Sequence, residues 1–362
     1  MVMLKTIVEN LNKNNQEQLI KLASDVILKG GLVVLPTDTV YGLSCNAFNM
    51  QSVKRVCDVK NRSIEKPFPI CVSGVDMLLR YADQISEDTM KLIKKFWPGS
   101  LTIIVKTKND SGFIGNVGFR APNASLLQSL CREVQRPIVI TSANISGSPS
   151  TSQAEDALRD LEGKVELVLC CDDEMTGKES TVIDMSGDTP KIIRIGGISL
   201  NKIRDCLRIK VKNILVVCTG NSCRSVMAEG VLKEIFCNRI DVFVHSAGVC
   251  AFQGMPPAVP AVYVMSEAGI NIAGKRANIL TPQMVDDADK ILVMTDDHKR
   301  AVTKLACNKK EAEDKTRLIM NYSDKLMDKE KEVPDPIGMP FNIYRQCIDL
   351  MRPAIEKFAR SI

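Results

Sequence analysis

Residues 214–225 read Ile-Leu-Val-Val-Cys-Thr-Gly-Asn-Ser-Cys-Arg-Ser. The four branched apolar residues Ile214 to Val217 predict a short buried strand. Cys218 follows at once, and then Thr219, Gly220, Asn221, Ser222, Cys223, Arg224 and Ser225. Met227, Val231 and Ile235 recur every four residues with Ala228 and Leu232 beside them, which predicts a helix. A loop that leads into a helix N-terminus aims backbone N–H groups and the positive end of the dipole at one point. An anion belongs there. A thiolate is favoured in such a place, and the thiolate is the nucleophilic form of cysteine. Arg224 adds a forked donor for phosphate oxygens. Gly220 permits a tight loop, and the Ser225 hydroxyl can reach the sulfur. The segment reads as a phosphate-binding loop that carries its own nucleophile.

Downstream, the same alternation continues. Val242–Val244 reads as a strand that ends in His245-Ser246-Ala247-Gly248. Residues 257–269 read as a helix with a glycine cap, 288–295 as a strand, and 342–360 as a long terminal helix. Alternating strands and helices predict a doubly wound parallel sheet with its site at the strand carboxyl ends. One acid stands out. Asp335 lies in Val333-Pro334-Asp335-Pro336, where two prolines hold it in a fixed loop. Such an Asp is a common turn starter. Beside a thiolate loop it is the expected general acid for a leaving group.

The length of 362 residues allows one to three domains with ample core. The net charge of +5 is mild and does not mark a nucleic-acid-binding protein. Thirteen cysteines, an odd and scattered set, fit a reducing compartment better than a disulfide framework. The sequence contains no apolar run long enough to span a membrane, and MVMLKTIVEN lacks the pattern of a secretory signal. A cytoplasmic protein without membrane partners is expected. With two His and no Cys-x2-Cys pair, zinc spacing is absent.

The first half has a different texture. Helical spacing covers 16–29, closed by Gly30-Gly31. A strand over 32–35 ends in Pro36-Thr37-Asp38-Thr39-Val40-Tyr41-Gly42-Leu43, a cluster that reads either as a hydroxyl turn or as a site wall. Lys60, Arg62 and Lys66 precede a strand predicted over 68–73. They form either a solvated face or a polyphosphate clamp. The chain contains no Walker-type loop. Further strands end in polar turns: Trp97-Pro98-Gly99-Ser100-Leu101-Thr102, Gly118-Phe119-Arg120-Ala121-Pro122, and Thr141-Ser142-Ala143-Asn144-Ile145-Ser146-Gly147. Ser180-Thr181-Val182-Ile183-Asp184 and Ile192-Ile193-Arg194-Ile195-Gly196-Gly197 complete the set. Repeated hydroxyls and arginines at strand ends predict one polar cavity built by many elements of an α/β fold. The basic amphipathic stretch 199–212 closes this half, with 208–213 as a short linker. The expected domains are 1–207 and 212–362.

These ordered motifs resemble the YrdC-type threonylcarbamoyl-adenylate synthase family over about residues 15–200. The resemblance implies a twisted α/β sheet with a large cavity. It also implies a reaction of L-threonine, bicarbonate and ATP with Mg2+, giving threonylcarbamoyl-AMP and pyrophosphate. Separate machinery would then transfer the threonylcarbamoyl group to tRNA. By motif, Thr37, Arg120, Thr141 and Ser180 would hold threonine, with Arg120 on its carboxylate. Lys60, Arg62, Lys66, Ser142, Ala143, Asn144, Thr151 and Arg194 would serve ATP, and Thr102 would lie on the cavity wall. Protein ligands for the metal are not assigned. Cys71 stands where some relatives carry His. A non-catalytic RNA-binding module is the competing class, but it would want stacking aromatics, which make up only 4% of the chain.

The second half resembles the low-molecular-weight phosphotyrosine phosphatase family over about residues 212–360. The carriers are Cys-Thr-Gly-Asn-Ser-Cys-Arg-Ser, Met227-Ala228-Glu229, Ser246-Ala247-Gly248 and Asp335-Pro336. The resemblance implies attack by Cys218 on phosphorus, with Asp335 as acid and then base. The three equatorial oxygens would be held by Arg224 and the loop amides, with Asn221 as brace and Ser225 beside the sulfur. No metal is implied. Cys223 is expected to form a reversible disulfide with Cys218 under peroxide. Ser222 and the tail Asp335-Pro336-Ile337-Gly338-Met339 resemble the bacterial protein-arginine phosphatase branch. Phosphoprotein substrates carrying phosphoarginine are therefore expected over phosphotyrosine. Thiol-linked arsenate reduction would require a closely spaced downstream Cys pair, whereas Cys237, Cys250, Cys307 and Cys347 lie far apart.

Overall fold

The run that ends at Cys218 forms the strand Lys212–Cys218, and every residue from Ile214 to Cys218 is buried. Its side chains alternate between two cores. Ile214, Val216 and Cys218 join one apolar cluster, and Leu215 and Val217 join another. Burial on both faces is what a continuous branched run in a parallel sheet produces. The protein is described here from a computed structural model covering residues 4–12, 14–63, 68–145, 151–171, 175–323 and 331–362. It divides into two compact units, 1–209 and 210–362.

In the second unit the sheet order is Val242–Gly248, Lys212–Cys218, Lys290–Val293, Thr316–Leu318. All three pairings are parallel, and Cys218 lies opposite Gly248. Helices Arg224–Ile235 and Phe341–Arg360 supply one core, through Met227, Val231, Met351 and Ile355. Helices Pro282–Asp287 and Asp296–Leu305 supply the other, through Val285 and Val302. The sheet is thus doubly wound, as expected. The strand predicted over 288–295 is shorter, Lys290–Val293. Thr295 is instead the N-cap of the next helix, its hydroxyl accepting the His298 N–H. The helix predicted over 257–269 runs Val259–Glu267, and Gly269 has φ +78° beyond it.

In the first unit ten strands among the described residues make one mixed sheet. Its order is Ile7–Asn10, Leu167–Cys170, Val33–Leu35, Gly42–Asn46, Ile138–Ser142, Ile70–Cys71, Asn116–Arg120, Leu101–Lys106, Thr181–Asp184, Lys191–Arg194. The strand predicted over 68–73 shrinks to two residues, Ile70–Cys71. Pro69 has no N–H to give a ladder, although its carbonyl still accepts Ile140 N–H at 3.0 Å. Helix Gln16–Leu28 packs Leu19, Ile20, Ala23 and Ile27 inward. The register places Gly42 opposite Ser142, and Thr102 opposite Val182. The first pairing sets the Thr141–Ser142 strand end beside Gly42, and the second sets Thr102 beside the strand that follows Ser180.

Candidate active sites

In the first unit these strand ends enclose a cavity of about 480 Å³, within the usual range of ligand pockets. Thr37, Arg62, Thr102, Arg120, Thr141, Ser142, Ser180 and Arg194 all line it, together with Glu179 and Phe68. Thr37 serves two purposes. Its Oγ1 accepts Thr39 N–H at 3.0 Å and donates to Val40 carbonyl at 2.7 Å. The hydroxyl turn and the site wall are therefore the same object. Thr102 and Ser180 hydroxyls meet at 2.8 Å. Arg194 donates through Nε and Nη2 to Ser180 carbonyl, at 3.1 and 3.0 Å, and pairs with Glu179.

Arg120 is held at the cavity wall by three of its five N–H donors. Nε donates to Gly99 carbonyl at 3.1 Å, Nη1 to Thr39 Oγ1 at 3.1 Å, and Nη2 meets Asp38 at 2.5 Å. Such bonding fixes a guanidinium plane before any carboxylate arrives. Other expected residues lie behind the wall. Lys60 is buried, with Nζ donating to the carbonyls of Ser142 and Asn144. Burial, reinforced by the nearby Arg62 charge, lowers its pKa to about 8. Its placement ties the 141–144 strand end together. Ala143 and Asn144 are buried beside it. Thr151 turns away to the start of helix Ala154–Leu161, where its Oγ1 meets Gln153 N–H and Asp156. Arg62 stacks over Phe68 at 4.8 Å. Lys66 lies outside the described residues. Cys71 is fully buried, with its sulfur 3.3 Å from that of Cys131.

In the second unit the strand-loop-helix of residues 212–235 builds the other site. Arg224 opens the helix Arg224–Ile235. Cys218 Sγ lies 2.9 Å from Ser225 Oγ. Asn221 Nδ2 bridges Ser225 Oγ at 2.9 Å and Ser246 Oγ at 2.7 Å. Behind Ser246 stands Glu229, 2% exposed, which also meets Lys233 and Lys275 at 2.6 Å. Burial opposes ionisation of this carboxyl. The bonds from Lys233, Lys275 and Ser246 outweigh it and hold the group below its ordinary value. A buried charge thus anchors the loop from behind.

In front, Arg224 Nη1 donates to Val333 carbonyl at 3.0 Å, and Nη2 reaches Thr219 Oγ1 at 3.2 Å and Asp335. Arg224 Nε is buried without a hydrogen-bond partner among the described residues. An oxyanion in the loop would satisfy it and release Asp335 toward a leaving group. Cys223 faces Tyr344 and Ser222, each at 3.5 Å, and burial pushes its thiol up. Ser222 accepts Ala258 N–H at its carbonyl. Gly220 leaves the loop room to turn, with only Ser222 Oγ near the place a Cβ would occupy.

Several participants escaped the sequence reading. Asp38 and Glu179 sit inside quoted motifs, but their pairing with Arg120 and Arg194 spans 82 and 15 residues. His298 meets Thr219 across 79 residues. Its only local signal was that it is one of two histidines, placed just past a strand with a polar end. Among the described residues no group of three or more His, Cys, Asp or Glu could hold a metal, and no helix is long and apolar enough to cross a membrane.

Comparison with known proteins follows the same division. Residues 25–196 match the Sua5_yciO_yrdC (telomere recombination) family model, and residues 213–362 the low molecular weight phosphotyrosine protein phosphatase model. The threonylcarbamoyl-AMP synthase of Pyrococcus abyssi is 36% identical over 203 residues, 55% of this chain and 60% of that protein. The chain therefore spans about three fifths of that relative's length. A putative threonylcarbamoyl-AMP synthase of Methanocaldococcus jannaschii is 33% identical, with 54% of this chain and 94% of that protein covered. Among solved structures, P. abyssi Sua5 complexed with L-threonine superposes with a TM-score of 0.53 and 28% identity. The match covers 66% of this chain and 83% of that one.

Proposed function

The chain belongs to the Sua5_yciO_yrdC family in its first half and to the low molecular weight phosphotyrosine protein phosphatase family in its second, and on that premise we propose that it is a bifunctional enzyme. The first unit joins L-threonine, bicarbonate and ATP into threonylcarbamoyl-AMP with release of pyrophosphate. The observation that carries this reading is the convergence of Thr37, Arg120, Ser180 and Arg194 from separate strands on one cavity. Arg120, pre-set by Asp38 and Thr39, receives the threonine carboxylate. Arg62 and Arg194 face the nucleotide phosphates. Lys60 acts on ATP through the Ser142–Asn144 carbonyls that it holds. Catalysis is then positioning and charge stabilisation of departing pyrophosphate. Among the described residues no group of three or more His, Cys, Asp or Glu would hold a metal without the nucleotide, so in this reading Mg2+ enters with the nucleotide phosphates and no step is routed through it. The product feeds tRNA threonylcarbamoyl transfer by other proteins.

The second unit hydrolyses phosphorylated protein side chains. Cys218 attacks phosphorus, the P–O or P–N bond breaks, and Asp335 gives its proton to the leaving atom. Water then attacks the cysteinyl-phosphate with Asp335 as base. Two variants of the intact chain test the division. In Cys218→Ser, phosphatase activity is lost while threonine- and bicarbonate-dependent pyrophosphate release continues. In Arg120→Ala the pyrophosphate release falls by about 100-fold while phosphatase activity continues. Loss of both activities in either variant would sink the reading of two independent heads.

For the phosphatase, phosphoarginine is the proposed substrate. Ser222 keeps the loop mouth small and polar, and the first exposed apolar residues after Asp335-Pro336, Ile337 and Met339, are not aromatic; the first exposed aromatic, Phe341, comes later, at the start of the terminal helix. Ser222→Ile is expected to lower phosphoarginine turnover and raise phosphotyrosine turnover, assayed on matched peptides. If phosphoarginine turnover survives and phosphotyrosine turnover does not rise, Ser222 is not the selector.

A further inference from the structure

His298 lies in the first turn of helix Asp296–Leu305 and is 5% exposed. Both ring nitrogens bond hydroxyl groups: Nδ1 meets Thr295 Oγ1 at 2.7 Å, and Nε2 meets Thr219 Oγ1 at 2.9 Å. Thr219 is the residue directly after the nucleophilic cysteine. Its Oγ1 also accepts from Arg224 Nη2 at 3.2 Å. A guanidinium can only donate, so this oxygen is committed as an acceptor on that side. The threonine's single hydroxyl hydrogen is then free for the bare Nε2 of a neutral imidazole. In that arrangement Nδ1–H faces Thr295 Oγ1, which also accepts the His298 backbone N–H at 3.3 Å. One chain of bonds therefore runs from a helix cap through an imidazole and a loop threonine to the phosphate-binding arginine.

We propose that His298, as the neutral imidazole, is a positioning residue of the phosphatase site: it locks the Thr219 side chain, and Thr219 in turn holds Arg224 in the plane that receives the phosphoryl oxygens. The inference rests on the phosphatase reading of the second unit. Thr219 is the hinge of the arrangement because Arg224 Nη2 also reaches Asp335, a bond that a bound oxyanion must displace. When Asp335 lets go, the Thr219 oxygen and Val333 carbonyl are the anchors that keep the guanidinium aimed. Protonation of the ring would turn Nε2 into a donor. The Thr219 oxygen would then accept from two cations at once, and its own hydrogen would be turned out toward the loop. The charged groups facing the ring are Arg224 from the loop-helix, Asp335 and Glu332 from the segment before the terminal helix, and Asp297 from its own helix. Burial and then the Arg224 charge disfavour the imidazolium, against the three carboxylates, and hold the ring below its ordinary pKa.

The test is a double-mutant cycle in the intact chain with p-nitrophenyl phosphate, from pH 5 to 8. His298→Ala and Thr219→Val are each expected to lower kcat/KM by about tenfold, and the double variant to be no worse than either single one. Thr219→Ser, which keeps the hydroxyl, should recover most of what Thr219→Val loses. The acid limb of kcat/KM should be steeper in the wild type than in His298→Gln, because the substrate's own ionisation is common to both proteins. Multiplying losses in the double variant, or identical acid limbs, would leave His298 a merely structural residue and overturn the proposal. If His298→Ala unfolds by circular dichroism, His298→Leu with Thr219→Val carries the same comparison. A second readout separates the two ideas: protection of Cys218 from iodoacetate by inorganic phosphate. Should the wild type turn over no aryl phosphate, the phosphatase reading fails. Even then, a phosphate protection constant about tenfold weaker in His298→Ala (or His298→Leu) supports the positioning role, and an unchanged one overturns it.

Discussion

Asn221 brings a strained backbone and a convergent side chain together in one residue. Its φ is +49°, a left-handed conformation that Asn adopts more readily than most residues. From there Nδ2 reaches Ser225 and Ser246, and Oδ1 accepts Asn278 N–H at 2.8 Å. The residue is 1% exposed, so water cannot replace these partners. Asn221→Ala removes all three bonds and leaves a left-handed alanine. A stability loss of about 2–4 kcal/mol is expected, read by urea unfolding of the intact chain. Asn221→Gly relieves the backbone but not the lost bonds, so its loss should be smaller while phosphatase activity falls equally. If glycine restores both, the side chain does not matter. Lys60 makes a parallel point in the first unit. Its charge was legible as part of a basic cluster, but its ammonium is buried on backbone carbonyls. Residue type announced a cation there without announcing which way it faces.

Among the elements, the strand Lys212–Cys218, its loop and its helix were legible because each obeys a local rule. A branched run buried on both faces gives the strand, and apolar residues four apart give the helix. Cys218, Arg224 and Ser225 follow from those two elements, since the loop between them is only a few residues long. Asp335 was legible because its flanking prolines leave a loop few conformations. The network behind the loop was not. Glu229 and Ser246 meet across 17 residues, and His298 and Thr219 across 79. No periodicity encodes such meetings; they arise from sheet register. Cys218 opposite Gly248 brings the loop against the neighbouring strand. A Cβ on Gly248 would lie 2.5 Å from Thr219 carbonyl and 2.8 Å from Asn221 N. Only glycine admits that approach. Strand ends were read too long at 68–73 and 288–295, because apolar composition continues past the last ladder bond. A proline at 69 precedes the start of the first strand, and a helix-capping threonine at 295 marks the chain's turn into a helix after the second.

At the scale of the whole molecule, the chain carries two compact units, and in the second the acid response has one sign. His298 and His245 are both held below the ordinary imidazole value, first by burial. Each therefore takes its proton in the unfolded chain near pH 6.5 but only at lower pH in the folded one. The unfolded state binds more protons across that interval, so stability falls as pH drops through about 6.5 and levels off below the folded values. Glu229 and Asp241 are depressed carboxyls. Their contributions are present above the unfolded carboxylate value and are lost as pH falls through the folded one. The acid destabilisation of the second unit should thus come in two stages, an imidazole stage from about pH 6.5 and a carboxylate stage from about pH 4. Calorimetry of the intact chain checks this, with the second unit's transition identified as the one that inorganic phosphate raises. His298→Gln should shrink the first stage to the His245 share and leave the second. Glu229→Gln should lower stability near neutrality and flatten the second stage. A phosphate-sensitive transition that stays constant from pH 7 to 5 in the wild type would mean that the two imidazoles are not held neutral by the fold.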